Sequence, residues 1–214
     1  MDRAVIVIGA GGHARVLLDA LRQMDGMRVL GLTDADANRL GETVSGLPIL
    51  GDDPWLLQAH APDTVALVNG LGSVRDTRLR REVFELFKAR DFRFERVVHR
   101  SAVMAEDVRL GEGVQVMAGA VVQAGAALGD NALINSGAVV DHDCRIGDHA
   151  HIGPGATLSG NVIVGAGAHV GTGACVIQGL RIGKDALVGA GAVVVRDVPD
   201  GAVVMGVPAR RRDL

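Results

Sequence analysis

The sequence predicts two architectures in series, an α/β domain of Rossmann type followed by an all-β, triangular parallel β-helix. The first observation is a period of six. Every sixth residue is apolar from Val98 through Met104, Leu110, Val116, Val122, Leu128, Ile134, Val140 and Ile146, and the count continues to Val194. Two positions earlier the chain is mostly small, as at Ala120, Ala126, Ala138, Cys144 and Ala156. Neither an α-helix nor a flat strand has that period, whereas a coil of three short strands does. The second observation is a glycine period of eighteen, in Gly111, Gly129, Gly147, Gly165 and Gly183 and again in Gly119, Gly137, Gly155, Gly173 and Gly191. One corner thus recurs once per coil. The third is that residues 1–96 lack this period and alternate strand-like with helix-like stretches, which places the domains at 1–96 and 97–214.

Taken in order, Ala4–Ile8 is an unbroken apolar run, suited to a strand buried on both faces. Gly9–Ala14 leads to an amphipathic helix at Arg15–Met24. A strand at Arg28–Thr33 ends beside Asp34 and Asp36, and a short one follows near Pro48–Leu50. A helix at Asp53–Ala59, a strand at Val65–Val68 and a helix over Ser73–Lys88 complete the domain. No Pro/Gly-rich linker separates it from the repeats, so the two domains should abut. The hexads end near Val198-Pro199, where Asp200 breaks the count.

Composition excludes several classes. A net charge of −3 offers no basic footprint for nucleic acid. No apolar run reaches the length of a membrane span, and the N-terminus lacks a signal-peptide layout, so a cytoplasmic protein is expected. Two cysteines are too few for a disulfide framework, and Cys144 occupies a small inward slot that suits a buried thiol better than a nucleophile.

Gly9–Ala14 fits G-x-G-x-x-A between a strand and a helix, with Asp34 about twenty residues on. Backbone N–H groups there suit phosphate oxygens and the acid suits a ribose hydroxyl, which describes any nucleotide diphosphate. A domain of this size favours a nucleotide or nucleotide sugar. NAD and a purely structural turn remain open. In the repeats, Asp141-His142-Asp143 and the histidines His149 and His151 are residues that the solenoid does not need. They are either solvated turn residues or a site in which His142 is a base held by Asp143. Gly160 lies eighteen residues after His142 and therefore one coil above it, about 4.8 Å away, where its N–H can face the same reacting atom.

The stretches IGAGGHARVLLDAL, VDHDCRIGDHAHIGPGATLSGNVIVG and GVPAR resemble the sialic-acid acetyltransferase-like sugar acetyltransferases with hexapeptide repeats. The resemblance is strongest to those that N-acetylate nucleotide-linked 4-amino-4,6-dideoxysugars, of bacillosamine or perosamine type, and covers residues 3–212. It implies that the β-helix is left-handed. It also implies that His142 is the catalytic base, Asp143 its acidic partner, and Gly160 the amide facing the thioester oxygen. His151, Gly160 and Gly179 would lie along acetyl-CoA, and Gly11, Gly12, His13, Asp34 and Asp36 around the nucleotide sugar. No metal is implied. Family members are homotrimers with acetyl-CoA between neighbouring solenoids. The same base could instead serve a sugar hydroxyl, an O-acetyltransferase of sialic-acid type, or the solenoid could be a non-catalytic ligand sensor.

Overall fold

The structure is a computed structural model and describes residues 2–212. The N-terminal domain runs β1 (Arg3–Ile8), α1 (Gly12–Leu21), β2 (Met27–Thr33), β3 (Thr43–Val44), β4 (Leu47–Gly51), α2 (Asp53–Ala59), β5 (Ala66–Asn69) and α3 (Arg78–Lys88). Its sheet order is β3-β4-β2-β1-β5, parallel except for the small β3–β4 hairpin. The central β1 alternates its loyalties. Val5 and Val7 pack with α1, whereas Ile6 and Ile8 pack with the phenylalanines of residues 84–94. An apolar residue at every position is what a strand covered on both faces requires.

Two helix boundaries differ from expectation. The α1 helix begins at Gly12, because the glycine run itself forms its first turn, and Gln23 and Met24 close a final tight turn outside it. The α3 helix begins at Arg78 rather than Ser73. Residues 73–77 are drawn off the helix onto the solenoid, where Thr77 Oγ1 donates to Gly167 O at 3.0 Å.

The second domain is a left-handed parallel β-helix whose coils lay two-residue strands into three parallel sheets. The first face carries Val97–Val98, Gln115–Val116, Leu133–Ile134, His151–Ile152, His169–Val170 and Leu187–Val188. The second carries Val103, Val121, Val139, Thr157, Cys175 and Val193 as its outward residues, and the third carries Arg109, Ala127, Arg145, Ile163 and Arg181. The inward column is as the hexads predict, with Val140, Ile152, Leu158, Val170 and Ala156 all 0 % exposed. Such side chains contribute roughly 1.5–3 kcal/mol each when large and aliphatic. The first face continues past the hexads. Val194 still pairs with Val176, eighteen residues back, but Val198 pairs with Ile182 and Val204 with Val188, each sixteen back. The chain thus drops two residues between Val194 and Val198, ahead of Asp200, and completes another strand at Val203–Met205.

The N-terminal domain sits on the first face. Met117 and Leu133 enter the same apolar cluster as Leu17, Leu18 and Val68, which makes the junction a shared core. The adjoining corner carries Asn131 and His149 at φ 56° and 59°, and α3 lies along it. Phe84 meets the His149 ring edge-on at 5.5 Å, and Arg81 pairs with Asp185. Among the described residues no helix is long and apolar enough to cross a membrane.

Candidate active site

The turn between the second and third faces holds His142. Its chain neighbour Asp143 adopts φ 59°, a left-handed conformation that Asp tolerates better than most residues, and this brings the carboxylate back beside the ring. Asp143 Oδ2 lies 2.9 Å from His142 Nδ1, so a neutral imidazole donates from Nδ1–H and leaves the Nε2 lone pair free. That hydrogen bond is the leading cause of a raised His142 pKa, aided by the charges of Asp141 and Asp143.

Gly160 is stacked on this ring. A Cβ there would fall on His142 Nε2 and 2.5 Å from Cε1, so only glycine leaves the ring its place. The chain around it is held coil to coil by Asn161 N–H donating to His142 O at 2.9 Å and Gly179 N–H to Gly160 O at 3.0 Å. Gly160 N–H has no hydrogen-bond partner among the described residues. The His142 ring and an amide left unpaired among the described residues thus share this corner. Cys144 lies just behind, buried, with its thiol donating to Ser159 O at 3.3 Å and its pKa raised by burial. That is a packing role.

The remaining sequence-derived residues lie elsewhere. Gly11 caps α1 and Gly12 opens it, at the C-terminal edge of β1. The chain leaves β1 toward β2 on one side and returns to β5 on the other, so this edge is the topological switch point at which open α/β sheets bind ligands. Asp34 and Asp36 line a cavity of about 260 Å³ with Leu40, Ile49 and Trp55. Asp34 is not free: one oxygen is 2.5 Å from Arg39 Nη1 and the other accepts Asp36 N–H at 3.0 Å. Arg39, which the motif did not single out, also reaches Ala10 O at 3.4 Å and so ties the acid to the glycine loop.

His13 and His151 meet at the junction. His13 Nε2 is 2.8 Å from Gln115 Oε1, and burial with Arg80 nearby lowers its pKa to about 4, so it is a neutral group there. His151 is 4 % exposed, with Nδ1 at 2.5 Å from Ser73 Oγ and Nε2 at 3.1 Å from Asn135 Nδ2. Burial, with His169 and Arg80 close by, lowers its pKa to about 2. Both ring nitrogens are engaged by the protein.

A polar network that sequence reasoning missed holds this junction. Arg80 is 1 % exposed and donates to Asn69 O at 2.9 Å and Leu71 O at 2.8 Å, and Asn69 Nδ2 donates to Arg80 O at 2.9 Å and Asn131 Oδ1 at 3.2 Å. Gln115 Nε2 donates to Asn69 O at 2.8 Å. The available signal was a polar residue, Gln115, in an outward slot beside Leu133, which is apolar and buried in the next coil.

In a three-faced solenoid each corner lies opposite one face. His142, Asp143, Gly160 and Gly179 share the corner opposite the first face, whereas His13, His151 and the glycine loop lie over that first face. One chain therefore separates the two groups by its own cross-section.

Residues 4–87 match the PglD N-terminal domain, and residues 107–142, 125–160 and 143–178 match the bacterial transferase hexapeptide (six repeats). No curated protein sequence matches the chain. Among solved structures, a mutant of perosamine N-acetyltransferase from Caulobacter crescentus, in complex with CoA and GDP-perosamine, is 44% identical. That match covers 99% of this chain and 97% of the other, with a TM-score of 0.91. The acetyltransferase domain of PglB from Neisseria gonorrhoeae FA1090, in complex with acetyl coenzyme A, is 37% identical over 99% of this chain and 100% of the other, at 0.91. WeeI from Acinetobacter baumannii AYE is 28% identical over 98% and 100%, at 0.87. With this likeness running through both domains, the chain belongs to the family of nucleotide-sugar N-acetyltransferases that join a PglD-type domain to a hexapeptide-repeat β-helix.

Proposed function

We propose that the protein transfers the acetyl group of acetyl-CoA to the C4 amine of a UDP- or GDP-linked 4-amino-4,6-dideoxyhexose. The observation that carries this is the His142 ring, held by Asp143 with Nε2 over Gly160. The amine attacks the thioester carbon as the free base and His142 Nε2 takes a proton from it. Asp143 then faces an imidazolium, and Gly160 N–H donates to the oxyanion. The tetrahedral intermediate collapses with cleavage of the C–S bond, and the coenzyme leaves as thiolate or is protonated on departure. A cavity of about 750 Å³ beside Asp143 is lined along the third face by Asp107, Arg109 and Arg145, of which the two arginines suit the phosphates of acetyl-CoA. The glycine loop at the β1/β5 switch point suits the diphosphate of the nucleotide sugar, and the cavity beside Asp34 and Asp36 suits its nucleoside.

The test is acetyl transfer from acetyl-CoA to UDP- and GDP-linked 4-amino-4,6-dideoxyhexoses, with the matching 4-hydroxy sugars as controls. Turnover of the amino sugars alone is expected. Preferential acetylation of the hydroxyl acceptors would replace this reading with an O-acetyltransferase.

The same reading includes a homotrimer. The base and the nucleotide loop lie on opposite sides of one solenoid, so a complete site draws one group from each of two copies. The second face supports such an assembly, because its outward residues are mostly apolar: Val103, 62 % exposed, with Val121, Val139, Cys175 and Val193 beside Thr157. Light scattering at micromolar concentration should give three times the chain mass. A fully active monomer would sink the shared site.

A further inference from the structure

The loop from Gly70 to Thr77 forms the second lip of the β1/β5 crevice and is anchored at both ends. Arg80 Nη1 holds Leu71 O at 2.8 Å, and Thr77 Oγ1 holds Gly167 O at 3.0 Å. Between these anchors Ser73, half-buried, reaches the solenoid by a hydrogen bond to His151. The protonation pattern there follows from the chain of donors. Ser136 N–H donates to Asn135 Oδ1 at 2.8 Å, so the Asn135 amide turns its NH₂ toward His151 Nε2 at 3.1 Å. Nε2 is then an acceptor, and the neutral ring carries its hydrogen on Nδ1, pointing at Ser73 Oγ. Ser73 accepts that hydrogen. Its own hydroxyl hydrogen has no acceptor among the described residues.

We infer that Ser73 is a substrate-positioning residue, which donates its hydroxyl hydrogen to a hydroxyl oxygen of the acceptor hexose. This rests on the acetyltransferase reading above. A diphosphate on the N–H groups of the glycine loop would send its sugar into the crevice that His13, Ser73 and His151 border, since Gly72, next to Ser73, lies against His13. The donor suits an oxygen and not the amine, because a hydrogen bond given to the amine would occupy the lone pair that must attack. His151 and Asn135 in this account act through Ser73 by fixing which way it donates. The neighbouring His169 ring lies tilted at 42° against His151, with centroids 4.6 Å apart, and is 5 % exposed.

The experiment combines kinetics with nitrogen NMR of His151. Ser73→Ala should raise KM for the amino-sugar nucleotide roughly five- to ten-fold, the loss of one hydrogen bond to a neutral group, and leave KM for acetyl-CoA unchanged. Calorimetry should show weaker binding of the sugar nucleotide by that variant but equal binding of the free nucleoside diphosphate. Ser73→Thr, which keeps a hydroxyl, should restore the wild-type values. The His151 spectrum of the wild type should show a neutral ring protonated on Nδ1. An unchanged KM for the sugar nucleotide in Ser73→Ala, or a ring protonated on Nε2, overturns the assignment. A wild-type protein that acetylates no amino-sugar nucleotide removes the acetyltransferase reading and this assignment with it. That failure is recognisable because it appears in the wild type before any substitution is made.

Discussion

His142→Asn should lower kcat by roughly 10²–10⁴, the range for a lost general base, with the fold and both KM values little changed. The side chain is 47% exposed and contributes nothing to the aliphatic core, so its removal leaves the coil intact. Asparagine keeps a polar group over Gly160 but cannot take the amine proton. Gly160→Ala should also cost at least about tenfold, because its methyl group displaces the ring that Asp143 holds. The pH profile has a defined sign. His142 works as the neutral base and its pKa is raised above 6.5, chiefly by the Asp143 hydrogen bond. Activity should therefore climb with pH through a break above that value and then level off. Asp143→Asn removes the leading cause, so the break should move to lower pH while the plateau falls. Near-normal turnover in His142→Asn, measured by thiol release at saturating substrates, would end the assignment of the base.

Arg80→Ala should cost about 3–5 kcal/mol, comparable to breaking a buried charged network. Arg80 has no carboxylate partner among the described ion pairs, and burial alone lowers its pKa to about 9. Its charge is instead solvated by backbone carbonyls of Asn69 and Leu71. Truncation takes the Arg80 donor from Leu71 O, leaves Asn69 O with Gln115 Nε2 alone, and opens a cavity between α3 and the Asn131 corner. Thermal denaturation followed by circular dichroism should show the N-terminal domain melting roughly ten degrees or more lower. Arg80→Lys should recover part of the loss, since an ammonium reaches one carbonyl more easily than two. A melting temperature within about two degrees of wild type in Arg80→Ala would mean that water replaces the guanidinium at no cost, and that the network does not hold the junction.

Much of the solenoid could be read without coordinates because its information is periodic. The hexads from Val98 name the inward column, and the eighteen-residue count puts Gly160 over His142, where the structure has it. Asp143 beside the ring follows from adjacency together with a turn that Asp can adopt. The N-terminal strands are equally plain, since β1 is apolar at every central position. The glycine loop left phosphate, NAD and structural readings open, because a nest of N–H groups carries no information about what lies beyond the diphosphate.

What only the tertiary structure decided are the contacts between segments far apart in the chain. Nothing in the hexad count says which of three similar faces the first domain covers. Met117 and Leu133 decide that by joining the α1 core, and they occupy outward slots that elsewhere hold solvent-facing residues. The start of α3 at Arg78 is likewise tertiary, since residues 73–77 have helix-compatible sequence but bond to Gly167 and His151 instead. Sequence placed His142 and His151 nine residues apart and suggested one site, yet half a coil of triangular cross-section puts them on opposite sides of the solenoid. The physical reason is common to all three cases. Period and propensity act over one turn or one coil, whereas docking is settled by which apolar and hydrogen-bonding surfaces two complete domains can satisfy against each other.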